Sequence, residues 1–107
     1  MTLDRRFASV SANLVAQDPA VEQGRMLHAP GLKISGKFFA FASREDLYVK
    51  LPAARVHELL DSGAGRPCEI RKGSPMREWI RLDPIDEDAC VAYVNEARDF
   101  VARQPRR

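Results

Sequence analysis

The stretch Gly36–Pro52, GKFFAFASREDLYVKLP, decides how this chain folds. Two runs rich in aromatic and branched residues, Lys37–Ala42 and Leu47–Leu51, flank the polar joint Ser43-Arg44-Glu45-Asp46. Residues of this kind fit the pleated, half-buried surface of a strand, and two such runs with a short polar joint read as a hairpin. A joint of two residues (Arg44-Glu45) or of four places Phe38 and Ala40 on one face with Leu47, Val49 and Leu51. Phe39 and Phe41 then share the other face with Tyr48 and Lys50, because side chains alternate along a strand. A joint of three or five residues exchanges these partners. Pro52 opens a helix, since the first helical turn has no use for the N–H that proline lacks.

Working outward, apolar residues at Leu3, Phe7, Val10 and Leu14 recur at helical spacing and predict a helix over 4–16, with Asp4 as its N-cap and Pro19 beyond its end. Val21–His28 reads as a strand, Ala29-Pro30-Gly31 as a turn, Leu32–Ile34 as a short extended segment and Ser35-Gly36 as a second turn. Val56, Leu59 and Leu60 form the apolar stripe of a helix over 53–61, stopped by Ser62-Gly63. Ala64–Pro67 reads as loop, Cys68–Arg71 as strand, Lys72–Pro75 as turn and Met76–Leu82 as the last strand. Asp86 caps a final helix over 86–103, with Asp88 at its positive end and Val91, Val94, Ala97, Phe100 and Val101 on its core face. The tail 104–107 reads as disordered. The order α-β-β-β-β-α-β-β-α, with tight turns between neighbouring strands, predicts an α+β domain: a mainly antiparallel sheet with helices packed on one face.

A chain of 107 residues with 45% hydrophobic and 30% charged residues fits a single domain able to bury a core without disulfides or metal. Its 17 Lys+Arg against 15 Asp+Glu leave a formal charge of +2, too near neutral for the whole surface to be a nucleic-acid footprint. Cys68 and Cys90 stand far apart with no Cys-x-x-Cys motif, which fits a reduced, cytoplasmic protein. The N-terminal stretch has no long apolar core of a signal peptide, and no run has the length and apolarity of a membrane span.

The chemistry-bearing residues gather on one predicted surface. Arg77, Trp79 and Arg81 alternate along the last strand and point one way; Ile80 and Leu82 point toward the helices. Lys37, Phe39, Phe41, Tyr48 and Lys50 join Trp79 on the open face. Rings interleaved with Arg and Lys on an open sheet stack bases and pair phosphates. They equally anchor protein contacts, or they form a satellite core with Trp79 buried under arginine stems. His28 and His57 have no carboxylate or Cys partner at metal-ligand spacing, and Cys68 beside Glu69 has no local activator. Gly63, Gly65 and Gly73 do not spell a phosphate loop. Asp83, Asp86, Glu87 and Asp88 lack calcium-loop spacing and read as helix-start chemistry. These patterns point to no metal, no cofactor and no catalytic residues.

Several short motifs, taken in order, resemble the TfoX/Sxy N-terminal domain family. They are Arg25-Met26, Pro30-Gly31-Leu32-Lys33, Gly36-Lys37 with Phe39-Ala40, Leu47-Tyr48-Val49-Lys50-Leu51, and Met76 to Trp79. The likeness runs from about Phe7 to Val101, with a more distant one to the MmcQ/YjbR group, for which DNA binding has been proposed. The resemblance implies a small α+β domain with an antiparallel sheet and no agreed catalytic residues. The family's competence regulators carry a further C-terminal helical domain that this sequence does not include, which points to an adapted role.

Together these readings predict a cytoplasmic, non-enzymatic TfoX-like domain acting in regulation through a protein partner or as a homodimer. The interaction face consists of Lys37, Phe39, Tyr48, Lys50, Arg77, Trp79 and Arg81. The alternatives are a weak nucleic-acid binder using the same face, and a small-molecule-binding protein or enzyme whose site assembles only in space.

Overall fold

The computed structural model describes residues 3–26, 29–43, 46–68, 77–82 and 86–104. In chain order the elements are α1 (Leu3–Gln17), β1 (Val21–Met26), β2 (Ala29–Ile34), β3 (Lys37–Ser43), β4 (Asp46–Lys50), α2 (Ala53–Ser62), β5 (Arg66–Pro67), β6 (Trp79–Leu82) and α3 (Glu87–Ala102). The strands form one six-stranded sheet in the order β1-β2-β3-β4-β6-β5, antiparallel at every pairing. The fold is therefore the α+β arrangement, in the element order, that the sequence predicts.

All three helices bury their apolar stripes on one face of this sheet. Phe7, Val10 and Leu14 of α1, Val56 and Leu59 of α2, and Cys90, Val94, Ala97 and Val101 of α3 join Leu32, Phe39, Leu47, Val49, Ile80 and Leu82 in one core. The helix ends follow capping chemistry. Asp86 accepts a hydrogen bond from the Ala89 N–H at 2.8 Å, as an N-cap does. At the end of α2, Gly63 N–H donates to the Leu60 carbonyl and Ala64 N–H to that of Leu59, the paired bonds of a Schellman stop. α1 begins at Leu3, so Asp4 lies inside the helix rather than capping it.

The β2–β3 hairpin turns on Ser35 (φ 53°) and Gly36 (φ 77°). Two consecutive left-handed residues make the tight turn whose twist suits a hairpin. The β3–β4 ladder ends on Ser43↔Asp46, which leaves two residues for the joint, the shorter of the loops that keep the predicted facing.

Three readings need correction. Ala29-Pro30-Gly31 is not a turn: it is the start of β2, with Pro30 opposite Arg25 of β1. The ladder from β2 to β3 begins only at Gly31↔Phe41, so the proline's missing N–H costs no bond on that side. The fifth strand covers Arg66–Pro67, inside the predicted loop; Cys68 follows it. Arg77 and Glu78 form a turn, and the last strand starts at Trp79. The predicted elements at Leu27, His28, 69–76 and 105–107 lie outside the described residues, as do Asp83 and Gly73.

Candidate functional site: the helix-free face of the sheet

The facing of β3 turns on one irregularity. Ile34 pairs with Lys37 and Lys33 with Phe38, but Leu32 pairs with Ala40. Phe39 is an extra residue, a β-bulge, and a bulge re-aims side chains by breaking the alternation. Phe39 and Ala40 both enter the helix-side core, fully buried. Lys37, across from the core residue Ile34, also lies on the helix side. Phe38 turns to the open face instead. Phe39 and Lys37 therefore leave the predicted interaction face and Phe38 enters it. Strand alternation counted from β4 is right for Phe41 and wrong by one for every β3 residue before the bulge.

What remains on the open face is a compact aromatic group. Phe41 and Tyr48 stack with ring centroids 4.5 Å apart and planes 5° from parallel. Trp79 tilts against Phe41 at 5.4 Å and 53°. Cys68 fills the space beside them, and Ala29, Phe38 and Tyr48 pack at the margin. Offset and tilted contacts of this kind suit the ring quadrupoles. Trp79 is only 5% exposed. It belongs to a satellite core, the blandest of the readings open to it, and does not stand as an exposed anchor. The half-exposed rings are Phe38 and Tyr48.

Cations surround this group. Lys33 Nζ lies 5.5 Å from the centre of the Phe38 ring, a cation–π distance. The Phe38 ring packs against Gly31, where an added Cβ would stand 3.1 Å from it and 3.0 Å from the Ala40 carbonyl oxygen. Lys50, across from Trp79, reaches Glu78 at 4.0 Å. Arg81, across from Tyr48, holds its Nε 3.9 Å from Asp46. That Nε is buried and has no hydrogen-bond partner among the described residues. Arg66 stands directly opposite Arg81 on the outer strand. Arg77 is exposed and lines a hollow of about 380 Å³ with Trp79, Pro67, Ala53 and His57. Cys68, Lys33 and Phe38 are the members that strand counting missed. The aromatic-rich run 37–41 carried the signal for Phe38, but its direction depends on the bulge.

Neither thiol is primed for nucleophilic chemistry. Burial pushes the Cys68 thiol up to about 11 against the opposing pull of the Arg81 charge. Burial likewise raises Cys90 to about 11, with Arg6 opposing and Glu87 adding to the shift. A thiol so placed carries little thiolate at neutral pH. His57 is exposed on α2 and its Nε2 lies 3.2 Å from Asp61, one turn on. Among the described residues no three His, Cys, Asp or Glu side chains gather as metal ligands do, and no helix is long and apolar enough to cross a membrane. Neither a family model, nor a curated protein, nor a solved structure matches the chain.

Proposed function

We propose that the chain is a non-catalytic, TfoX-like regulatory domain that meets a protein partner through the helix-free face of its sheet. The observation that supports this reading is the pair of half-exposed rings, Phe38 and Tyr48, seated on a rigid aromatic base and rimmed by Lys33, Lys50 and Arg81. Aromatic rings with arginine around them are the residues that most often dominate protein contacts. They lose little freedom on binding when already packed. The basic rim selects a partner surface with an apolar centre and acidic edges.

The same rim supports a second reading, a weak nucleic-acid contact with Tyr48 and Phe38 stacking on bases. The two differ in salt dependence, because phosphate contacts release counterions and apolar contacts do not. The test compares wild type with Tyr48→Asp as immobilised bait under native cell extract, with labelled duplex and single-stranded DNA titrated in parallel at low and physiological salt. Specific proteins retained by wild type and lost with Tyr48→Asp, at a temperature where circular dichroism shows the variant still folded, are the expected result. Steeply salt-dependent DNA binding that survives at physiological salt and is lost in Arg81→Ala overturns it in favour of the second reading.

A further inference from the structure

The two edges of the sheet are unlike. β5, at one edge, is two residues long and ends in Pro67, a short edge closed by a residue that cannot donate. β1, at the other edge, has six residues and no proline. Among the described residues it pairs only with β2. Alternate residues of β1 therefore turn backbone N–H and C=O groups outward, as an edge strand does, with the Val21 N–H at its start donating to the Asp18 carbonyl at 3.0 Å. Along this edge, between α1 and the strands, runs a groove of about 330 Å³ lined by Phe7, Ala8 and Ser11 on one wall and Gln23, Arg25 and Pro30 on the other. Ser11 is 5% exposed, and its hydroxyl has no hydrogen-bond partner among the described residues.

We infer that this groove is a strand-addition site that takes an extended peptide carrying an apolar residue followed, two positions on, by an acidic one. Four features select this occupant. Outward backbone groups in a row are matched by another main chain, whose alternate side chains then enter the groove. The groove's volume lies at the small end of ligand pockets, roughly 300–1,000 Å³, which suits a side chain better than a whole cofactor. Its walls are apolar at Phe7, Ala8 and Pro30 and cationic at Arg25, so an apolar side chain seats in it and a carboxylate beside it meets the guanidinium. The buried Ser11 hydroxyl carries a desolvation cost that an occupant offering an acceptor recovers.

A second copy of the chain fits poorly. Gln23 lies across from the core residue Leu32, and Arg25 across from Pro30, so these are the side chains β1 presents on the helix side beyond Val21. Paired edge to edge, a second β1 offers this groove an amide and a second guanidinium rather than an apolar residue and a carboxylate.

The probe is a fluorescein-labelled octapeptide, TLTETLTE, which places leucine and glutamate in turn on one face. Saturable binding is expected, weakened at least tenfold by Ala8→Trp, which fills the groove from an exposed helix position, with the thermal midpoint unchanged. Arg25→Glu weakens it severalfold, and Tyr48→Asp leaves it unchanged, which separates this site from the aromatic face. Two N-methylated peptides complete the test, one methylated at every threonine and one at every leucine and glutamate. Strand addition uses one edge of the peptide, so one version loses binding and the other keeps it. Absence of saturable binding, equal effects of the two methylated versions, or indifference to Ala8→Trp overturns the proposal. Concentration-dependent dimers dissolved by Ala8→Trp, with no peptide bound, overturn it in favour of a second copy.

Discussion

Phe41 and Tyr48 face each other directly across the β3–β4 ladder with their rings stacked at 4.5 Å. This cross-strand pair forms the base of the helix-free face, and it sets what can be altered there without losing the fold. Tyr48→Phe preserves the stack and leaves stability within about 0.5 kcal/mol of wild type. Tyr48→Ala removes it and costs about 1–2 kcal/mol, the aromatic pair term together with part of the buried ring area. Urea unfolding of the two variants checks both values.

Trp79 is expected to report on folding rather than on binding. Because it is buried against Phe41 and Cys68, Trp79→Ala should cost about 3–5 kcal/mol. Its fluorescence should be blue-shifted and poorly quenched by acrylamide in the native protein. A red-shifted, freely quenched emission contradicts this placement.

Both thiols tie stability to alkaline pH. A thiol that titrates near 9 in the unfolded chain and near 11 in the folded one holds its proton longer when folded. Its stabilising contribution is complete below about pH 9 and is lost as pH rises through about 11. Each thiol steepens the decline by up to about 1.4 kcal/mol per pH unit across that window. The double variant Cys68→Ala/Cys90→Ala should show a flatter profile between pH 9 and 11 in denaturant titrations. At pH 8 both wild-type thiols should resist iodoacetamide until the protein unfolds.

Ser35 adopts a left-handed conformation that an L-residue with a Cβ takes reluctantly. Ser35→Asn places the favoured Asn-Gly pair in the β2–β3 turn and should stabilise the domain by about 0.5 kcal/mol. Gly36→Val, at φ 77°, should destabilise it by about 1–3 kcal/mol. Thermal midpoints of the two variants should move in opposite directions.

The helices were legible because their evidence is local. The spacing of Phe7, Val10 and Leu14, the cap at Asp86 and the stop at Gly63 each act within a few residues of chain. The hairpin Lys37–Leu51 was legible for the same reason, and so was the side on which Tyr48, Lys50 and Arg81 lie. The facing of Lys37, Phe38 and Phe39 was not. It is fixed by β2, where the neighbours Leu32 and Lys33 take partners two residues apart on β3 that an unbroken ladder would set one apart. Nothing within the run KFFAF reveals that interruption. What covers Trp79 was hidden likewise, since the cover comes from Phe41 of β3 and from Cys68, just past the end of β5. Strand β2 was shortened in the reading because Pro30-Gly31 carries strong turn chemistry that pairing with β1 overrides. Ser11, four residues after Phe7 within the apolar stripe of α1, was the one polar residue on that face and the visible trace of the groove.

The bulge at Phe39 also divides the sheet into two sectors that are out of phase with one another. In one sector Lys33 and Phe38 keep time; in the other Phe41, Tyr48 and Arg81 do. Both sectors show cations and rings to the same side. Deleting Phe39 should therefore close the ladder into an unbroken one, with Lys33 opposite Phe38 and Leu32 opposite Ala40 and nothing between. Lys37 and Phe38 would keep their sides, and the loss would fall on the helix-side core, where Phe39 is fully buried. On another sheet an even ladder would suffice to show these cations and rings; the interruption serves the core beneath them by adding Phe39 to it.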